Sequence, residues 1–190
     1  MLKLKSRMIL FLLFINSHHA YSSVFKASAN LLNFNSEQEQ KIFKALNLIQ
    51  QIIPSAEFRD RVINKKFRGK KIFVDNQGLT NEQIYQKIIT SAPMRLELKL
   101  YNEESNTIGY TYPNIIRIYI NEKYFNKFSI HEIADNLIHE WLHKIGFNHE
   151  FKYSESRDHS VPYSVGHIVK ELGNKHLSQS PANFSEFIPN

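Results

Sequence analysis

The chain has 190 residues, with 24 lysines and arginines against 18 aspartates and glutamates, nine histidines and no cysteine. That length suits one domain with a real hydrophobic core and leaves little room for accessory modules, and the missing cysteines exclude a disulfide framework, a cysteine switch and a lipid-bearing thiol. Three of the positive charges fall in the first seven positions, so without residues 1–22 the balance is 21 − 18 = +3, too mild to mark a nucleic-acid partner.

Lys3, Lys5 and Arg7 precede the apolar run from Met8 to Ile15, and the polar and small residues after it include Ala20-Tyr21-Ser22. A bilayer span takes about 20 apolar residues. The run is far shorter and has the order of a secretory signal peptide over residues 1–22, cleaved after Ala20 or Ser22. The mature chain is therefore expected to be secreted or periplasmic, with no stable membrane anchor.

Residues 23–68 read as an N-terminal helical segment, either part of the domain or a pro-segment. Ser36-Glu37-Gln38-Glu39 has the pattern of a capping box, and Ile42, Phe43, Leu46, Ile49, Ile52 and Ile53 follow at helical spacing up to Pro54, which predicts a helix over 37–53. A second, shorter helix is expected from Ser55 to about Phe67, with Phe58, Val62 and Ile63 inward and Gly69 ending it. Residues 69–175 are read as the core that carries the chemistry. Ile72-Phe73-Val74 suggests a short strand. Thr80-Asn81-Glu82-Gln83 opens a helix through about Thr90, and Arg95 to Tyr101 alternates, which buries Leu96, Leu98 and Leu100 on one face of a strand. Two more β-rich runs, Ile108 to Tyr112 and Ile115 to Ile120, meet at Pro113-Asn114.

Ser129-Ile130-His131-Glu132 is a third capping box, and it starts a helix whose apolar face is Ile130, Ile133, Ala134, Leu137, Ile138, Trp141, Leu142 and Ile145. The same helix carries His139-Glu140-Trp141-Leu142-His143. His139 and His143 lie one turn apart on one face, so both imidazoles can grip one metal ion. Glu140 projects beside the first ligand, near enough to act on a water there without coordinating. Gly146 lets the chain turn back out of the helix, and the turn delivers His149. Three neutral imidazoles leave a fourth position for water, the arrangement of a catalytic zinc. In a chain of this composition the full pattern H-E-x-x-H-x-x-G-x-x-H arises by chance with a probability on the order of 10⁻⁴ or less. His131 reads as a surface or capping residue. His159, Glu155 and Glu171 remain rival third ligands, a glutamate from a downstream helix being another way to complete such a site.

The segment from His139 to Glu150 resembles the signature of the metzincin clan of zinc metallopeptidases, HExxHxxGxxH, and is similar to the astacin-like form through Phe147 and Glu150 as well. The resemblance covers a dozen residues. It implies an α+β fold, a metzincin-like catalytic domain with a small mixed twisted sheet, an active-site helix and a C-terminal helix. It implies one catalytic Zn2+ on His139, His143 and His149, a general base at Glu140 and an exported endopeptidase acting on a peptide or protein substrate. It also implies that either Gly109 to Tyr112 or Ile115 to Tyr119 is the edge strand that pairs with an extended substrate. The three methionines, Met1, Met8 and Met94, all precede the motif, so the clan's Met-turn residue is missing. By the resemblance, Val161-Pro162 takes its place as an apolar floor, and Tyr163 has the role of the tyrosine that ligates zinc or donates to the oxyanion; a core tyrosine is the other reading. Val165, Ile168, Val169 and Leu172 mark the C-terminal helix, residues 176–190 are expected to be a flexible tail, and the chain to be a monomer. A zinc amidase acting on cell-wall peptides and a non-catalytic zinc-binding protein are the alternative functions.

Overall fold

The computed structural model describes residues 24–112 and 115–179; the signal-peptide reading and Pro113-Asn114 lie outside them. The chain is α+β. The sheet has four strands, β1 (Ala27–Leu32), β2 (Met94–Tyr101), β3 (Gly109–Thr111) and β4 (Arg117–Asn121), in the spatial order β1-β2-β4-β3. The first three in that order run parallel, and β3 lies antiparallel on the outside of β4. Period-two alternation sets the buried face. Met94, Leu96, Leu98 and Leu100 of β2 and Ile118 and Ile120 of β4 point into the core, while Glu97 and Arg117 pair as an ion pair on the opposite face.

Helices α1 (Ser36–Ile52), α2 (Ala56–Ile63) and α3 (Asn81–Thr90) fill the connection from β1 to β2. The central helix is α5 (Ile130–Lys144), preceded by the single turn α4 (Glu122–Phe125) and followed by the single turn α6 (Glu155–Asp158) and by α7 (Val161–Gln179). α5 packs chiefly against α7 and then α1. Its predicted apolar face is the one that is buried: Ile133, Ala134, Leu137, Ile138, Trp141 and Leu142 join the core, and Ile130 and Ile145 pack on its margin.

The start of α5 is secured twice. Ser129 N–H and Oγ donate to Glu132 Oε2 at 3.1 and 2.9 Å, and Glu132 N–H donates back to Ser129 Oγ at 3.4 Å. Lys170 Nζ, from α7, donates to Glu132 Oε1 at 3.0 Å. The hydrogen bond from the Ser129 backbone, followed by that from Lys170, holds the Glu132 carboxyl down at about 2, from its usual 4.5. Farther along, Asp135 is half-buried where α5 meets α7, and desolvation there pushes its carboxyl up to about 6. Its Oδ1 lies so close to Gly166 that a Cβ built on that glycine would overlap it.

Several expectations need correction. β1 replaces the purely helical reading of residues 23–68, because Ala27 to Leu32 find a parallel partner in β2. The cap of α1 is Asn35 with Gln38, one residue ahead of Ser36 with Glu39. α2 closes at Asn64, and Gly69 turns the chain between Phe67 and Lys70 instead of ending the helix. Of Ile72-Phe73-Val74, Val74 forms one bridge, to Ser160, and no strand. Val161-Pro162 belongs to the first turn of α7 and not to a separate turn before it; proline is tolerated there because first-turn N–H groups have no partner within the helix. α7 continues through Gln179, so residues 176–179 are helix; the rest of the expected tail lies outside the described residues.

Two measurements test this packing. The capping network of Glu132 stabilises the fold fully above its unfolded pKa of 4.5 and loses that contribution as pH falls toward about 2. Glu132→Ala should therefore lower the unfolding free energy by about 1 kcal/mol at pH 7, and denaturant titrations should converge with wild type near pH 2. Gly166→Ala should cost roughly 1–3 kcal/mol by driving Asp135 from its place, read as a lower denaturation midpoint at unchanged slope.

Candidate metal centre

Helical spacing brings His139 and His143 together on α5, and the chain then reverses at Gly146, whose φ of +97° lies in the left-handed region that favours glycine. Gly146 N–H donates to His143 O at 3.1 Å and Phe147 N–H to Leu142 O at 3.0 Å, which closes the helix. Phe147 enters the core, and His149 is swung back over α5. His139 Nε2 lies 3.2 Å from His143 Nε2 and 3.2 Å from His149 Nε2. Among the described residues, these three histidines form the one group of three or more metal-ligating side chains that could share an ion.

The second ring nitrogens decide what the Nε2 atoms can do. His143 Nδ1 is 2.8 Å from the carbonyl oxygen of Phe147, and His149 Nδ1 is 2.9 Å from that of Glu150. A carbonyl oxygen only accepts, so both Nδ1 atoms carry the proton and both Nε2 atoms present lone pairs. Burial, together with the neighbouring imidazoles, pushes His139 well below its ordinary pKa, and burial lowers His143 as well, so these rings are neutral near pH 7. Two lone pairs directed at the Nε2 of His139 can be shared with it by one cation. Tetrahedral coordination at a zinc–nitrogen distance of 2.0–2.1 Å places ligand nitrogens about 3.3 Å apart. The observed separations fit a metal ion held by His139, His143 and His149.

Glu140 is 5% exposed, in a helix otherwise buried by apolar residues. Burial pushes its carboxyl up to about 7, opposed by Lys144 one turn away. Tyr163, in the first turn of α7, has its ring centre 4.5 Å from that of His139 and 4.7 Å from that of His149. Burial raises its phenol pKa, with Arg157 opposing, so the hydroxyl stays protonated and can donate. On the other side, β3 is the outer strand of the sheet beside α5. Lys144 Nζ reaches the carbonyls of Tyr112, at 3.0 Å, and Ile115, so the chain leaving β3 is tied to the end of the histidine-bearing helix. A groove of about 430 Å³ lined by Asp75, Gln77, Asn148, His149 and Glu150 opens against the third histidine.

The rival ligands lie elsewhere. His159 packs on Phe67 with ring centres 4.8 Å apart, and its carbonyl accepts from Val74 N–H. Glu155 pairs with Arg68 at 3.0 Å, and Glu171 pairs with Arg61. His131 Nε2 sits 3.1 Å from Ser129 Oγ at the cap of α5, as expected of a capping residue. Of the two candidate edges, residues 109–111 lie outermost, whereas residues 117–121 form the strand between β2 and β3. The carbonyls of Phe147 and Glu150, which orient two of the rings, had no sequence signal, since any residue supplies a carbonyl. No family model, curated protein or solved structure significantly matches the chain.

His149→Ala should lower bound metal at least tenfold, whereas His159→Ala and Glu171→Ala should keep the wild-type content. Elemental analysis of the purified chains after dialysis against trace metal reads the difference.

Proposed function

We propose that the chain is an exported zinc-dependent metalloendopeptidase of the metzincin type, hydrolysing peptide bonds with a glutamate general base. One observation carries this reading: the Nε2 atoms of three histidines converge, and the residue that follows the first of them carries a buried carboxyl. Three imidazoles fit zinc and leave a coordination position for water or substrate, whereas a structural zinc takes four protein ligands. Zinc bound there would supply Lewis-acid polarisation of the scissile carbonyl and a water acidic enough to attack at neutral pH.

The chain's own residues do the rest. Glu140, whose carboxyl is buried in α5, accepts the proton of the attacking water and delivers it to the departing amine nitrogen. The Tyr163 hydroxyl donates a hydrogen bond to the carbonyl oxygen as it gains charge, a preorganised contribution of a few kcal/mol in other enzymes. The free edge of β3 offers its main chain to an extended substrate, which adds as a further strand. The antiparallel outer strand beside the histidine-bearing helix, with a C-terminal helix packed against that helix, supports the metzincin assignment. The first turn of α7, with Val161 and Pro162 buried and Tyr163 against the histidines, stands in for the methionine turn.

Glu140→Gln keeps the size and the ligands and removes the base. Its kcat on a casein or peptide substrate should fall roughly 10²–10⁴-fold at unchanged zinc content. Full turnover by this variant defeats the assignment, and zinc binding with hydrolysis of cell-wall amides alone moves it to an amidase.

A further inference from the structure

Arg157 lies on the single turn α6, between the third histidine and α7. Its guanidinium carbon is 4.8 Å from the centre of the Tyr163 ring and 5.2 Å from that of Tyr153. Nη1 points to the carbonyl oxygen of Phe151 at 3.4 Å. The side chain is 21% exposed, and the carboxylate it approaches, on Asp158, stays 3.8 Å away. Nε is buried with no hydrogen-bond partner. A guanidinium partly withdrawn from water, with its nearest carboxylate beyond hydrogen-bond reach, gives up hydration for little charge pairing. Cation–π contact returns about 0.5–2 kcal/mol of that, and an aliphatic side chain could fill the same gap without the penalty. The cation therefore has to be explained by what it holds.

What it holds is the tyrosine of the proposed site. The Tyr163 ring that Arg157 covers is the one standing 4.5 Å from His139 and 4.7 Å from His149. Tyr153 and the Phe151 carbonyl belong to the segment leaving His149 and Glu150. A planar guanidinium lying over a phenol covers more of the ring face than a lysine's point charge does. Arg157 thus joins the segment after the third ligand to the first turn of α7 through the ring in contact with two of the ligands.

We infer that Arg157 is a positioning residue, clamping the Tyr163 ring against His139 and His149 so that its hydroxyl is oriented before substrate arrives. The inference rests on the proposed role of Tyr163 for its effect on rate, but the clamp itself can be observed without metal or substrate. The metal-free chain, labelled throughout with 3-fluorotyrosine, gives a fluorine NMR line for Tyr163, assigned by its loss in Tyr163→Phe. That line should move in Arg157→Leu and Arg157→Gln, and move less in Arg157→Lys, while the lines of Tyr101, Tyr110 and Tyr119 stay in place as the sign of an intact fold. With zinc bound, Arg157→Leu should lower kcat roughly tenfold or more with KM and zinc content within about twofold. In a Tyr163→Phe background the same substitution should cost less than about twofold, because two residues acting through one contact are not additive.

An unmoved Tyr163 line in any folded Arg157 variant overturns the inference, as does an undiminished rate loss in the Tyr163→Phe background. Should Arg157→Leu unfold, the lysine and glutamine variants decide. A line that moves as expected in a protein without peptidase activity upholds the clamp and removes the proposed function instead.

Discussion

Three imidazoles crowd one point, with the Nε2 of His139 3.2 Å from the Nε2 of each of the other two, and the rest of the chain has to hold them there. The hold begins with burial. Six apolar side chains of α5 fix the helix against α7, α1 and the sheet, so two of the rings cannot rotate away without moving the core. The third is held by backbone, through the glycine turn, the burial of Phe147 and the carbonyl of Glu150. A metal ion shared by the three rings would couple its binding to the stability of the fold.

The helix behind the site is as much a part of it as the motif. α7 secures the cap of α5 through Lys170 and accommodates Asp135 at Gly166. It also offers Tyr163 to the histidines from its first turn. One helix–helix interface therefore sets both the direction of the candidate ligands and the place of the proposed oxyanion donor, so a change in that packing should be felt at the three histidines. The opposite wall is lighter. It is a three-residue edge strand and the chain after it, tethered by Lys144 to two carbonyls.

Whatever depended on local spacing could be read in the sequence. The alternation of β2, the caps of α3 and α5, the apolar stripe of α5 and the run from His139 to His149 are each set by residues within a few positions of one another, and helix or strand geometry converts their spacing into direction. Ambiguity entered where two local solutions compete. Asn35 with Gln38 and Ser36 with Glu39 both satisfy a capping-box pattern, and the first of them forms the cap. Ile72-Phe73-Val74 has the composition of a strand, but a strand needs a partner along its length and finds one only at Val74.

Short-range periodicity and one permissive backbone position are enough to set the helix of the motif, its buried face, the glycine reversal and the three candidate ligands, and all of these are legible in the residues alone. Tertiary structure decided the rest. It made Ala27 to Leu32 a strand by supplying β2 as a neighbour, sent His159, Glu155 and Glu171 away from the histidines, and stacked Arg157 on Tyr163. Those outcomes depend on which distant segments meet, and the favourable terms that bring them together, burial of apolar surface and pairing of backbone groups, are non-directional or common to every residue. No local pattern of side chains encodes them.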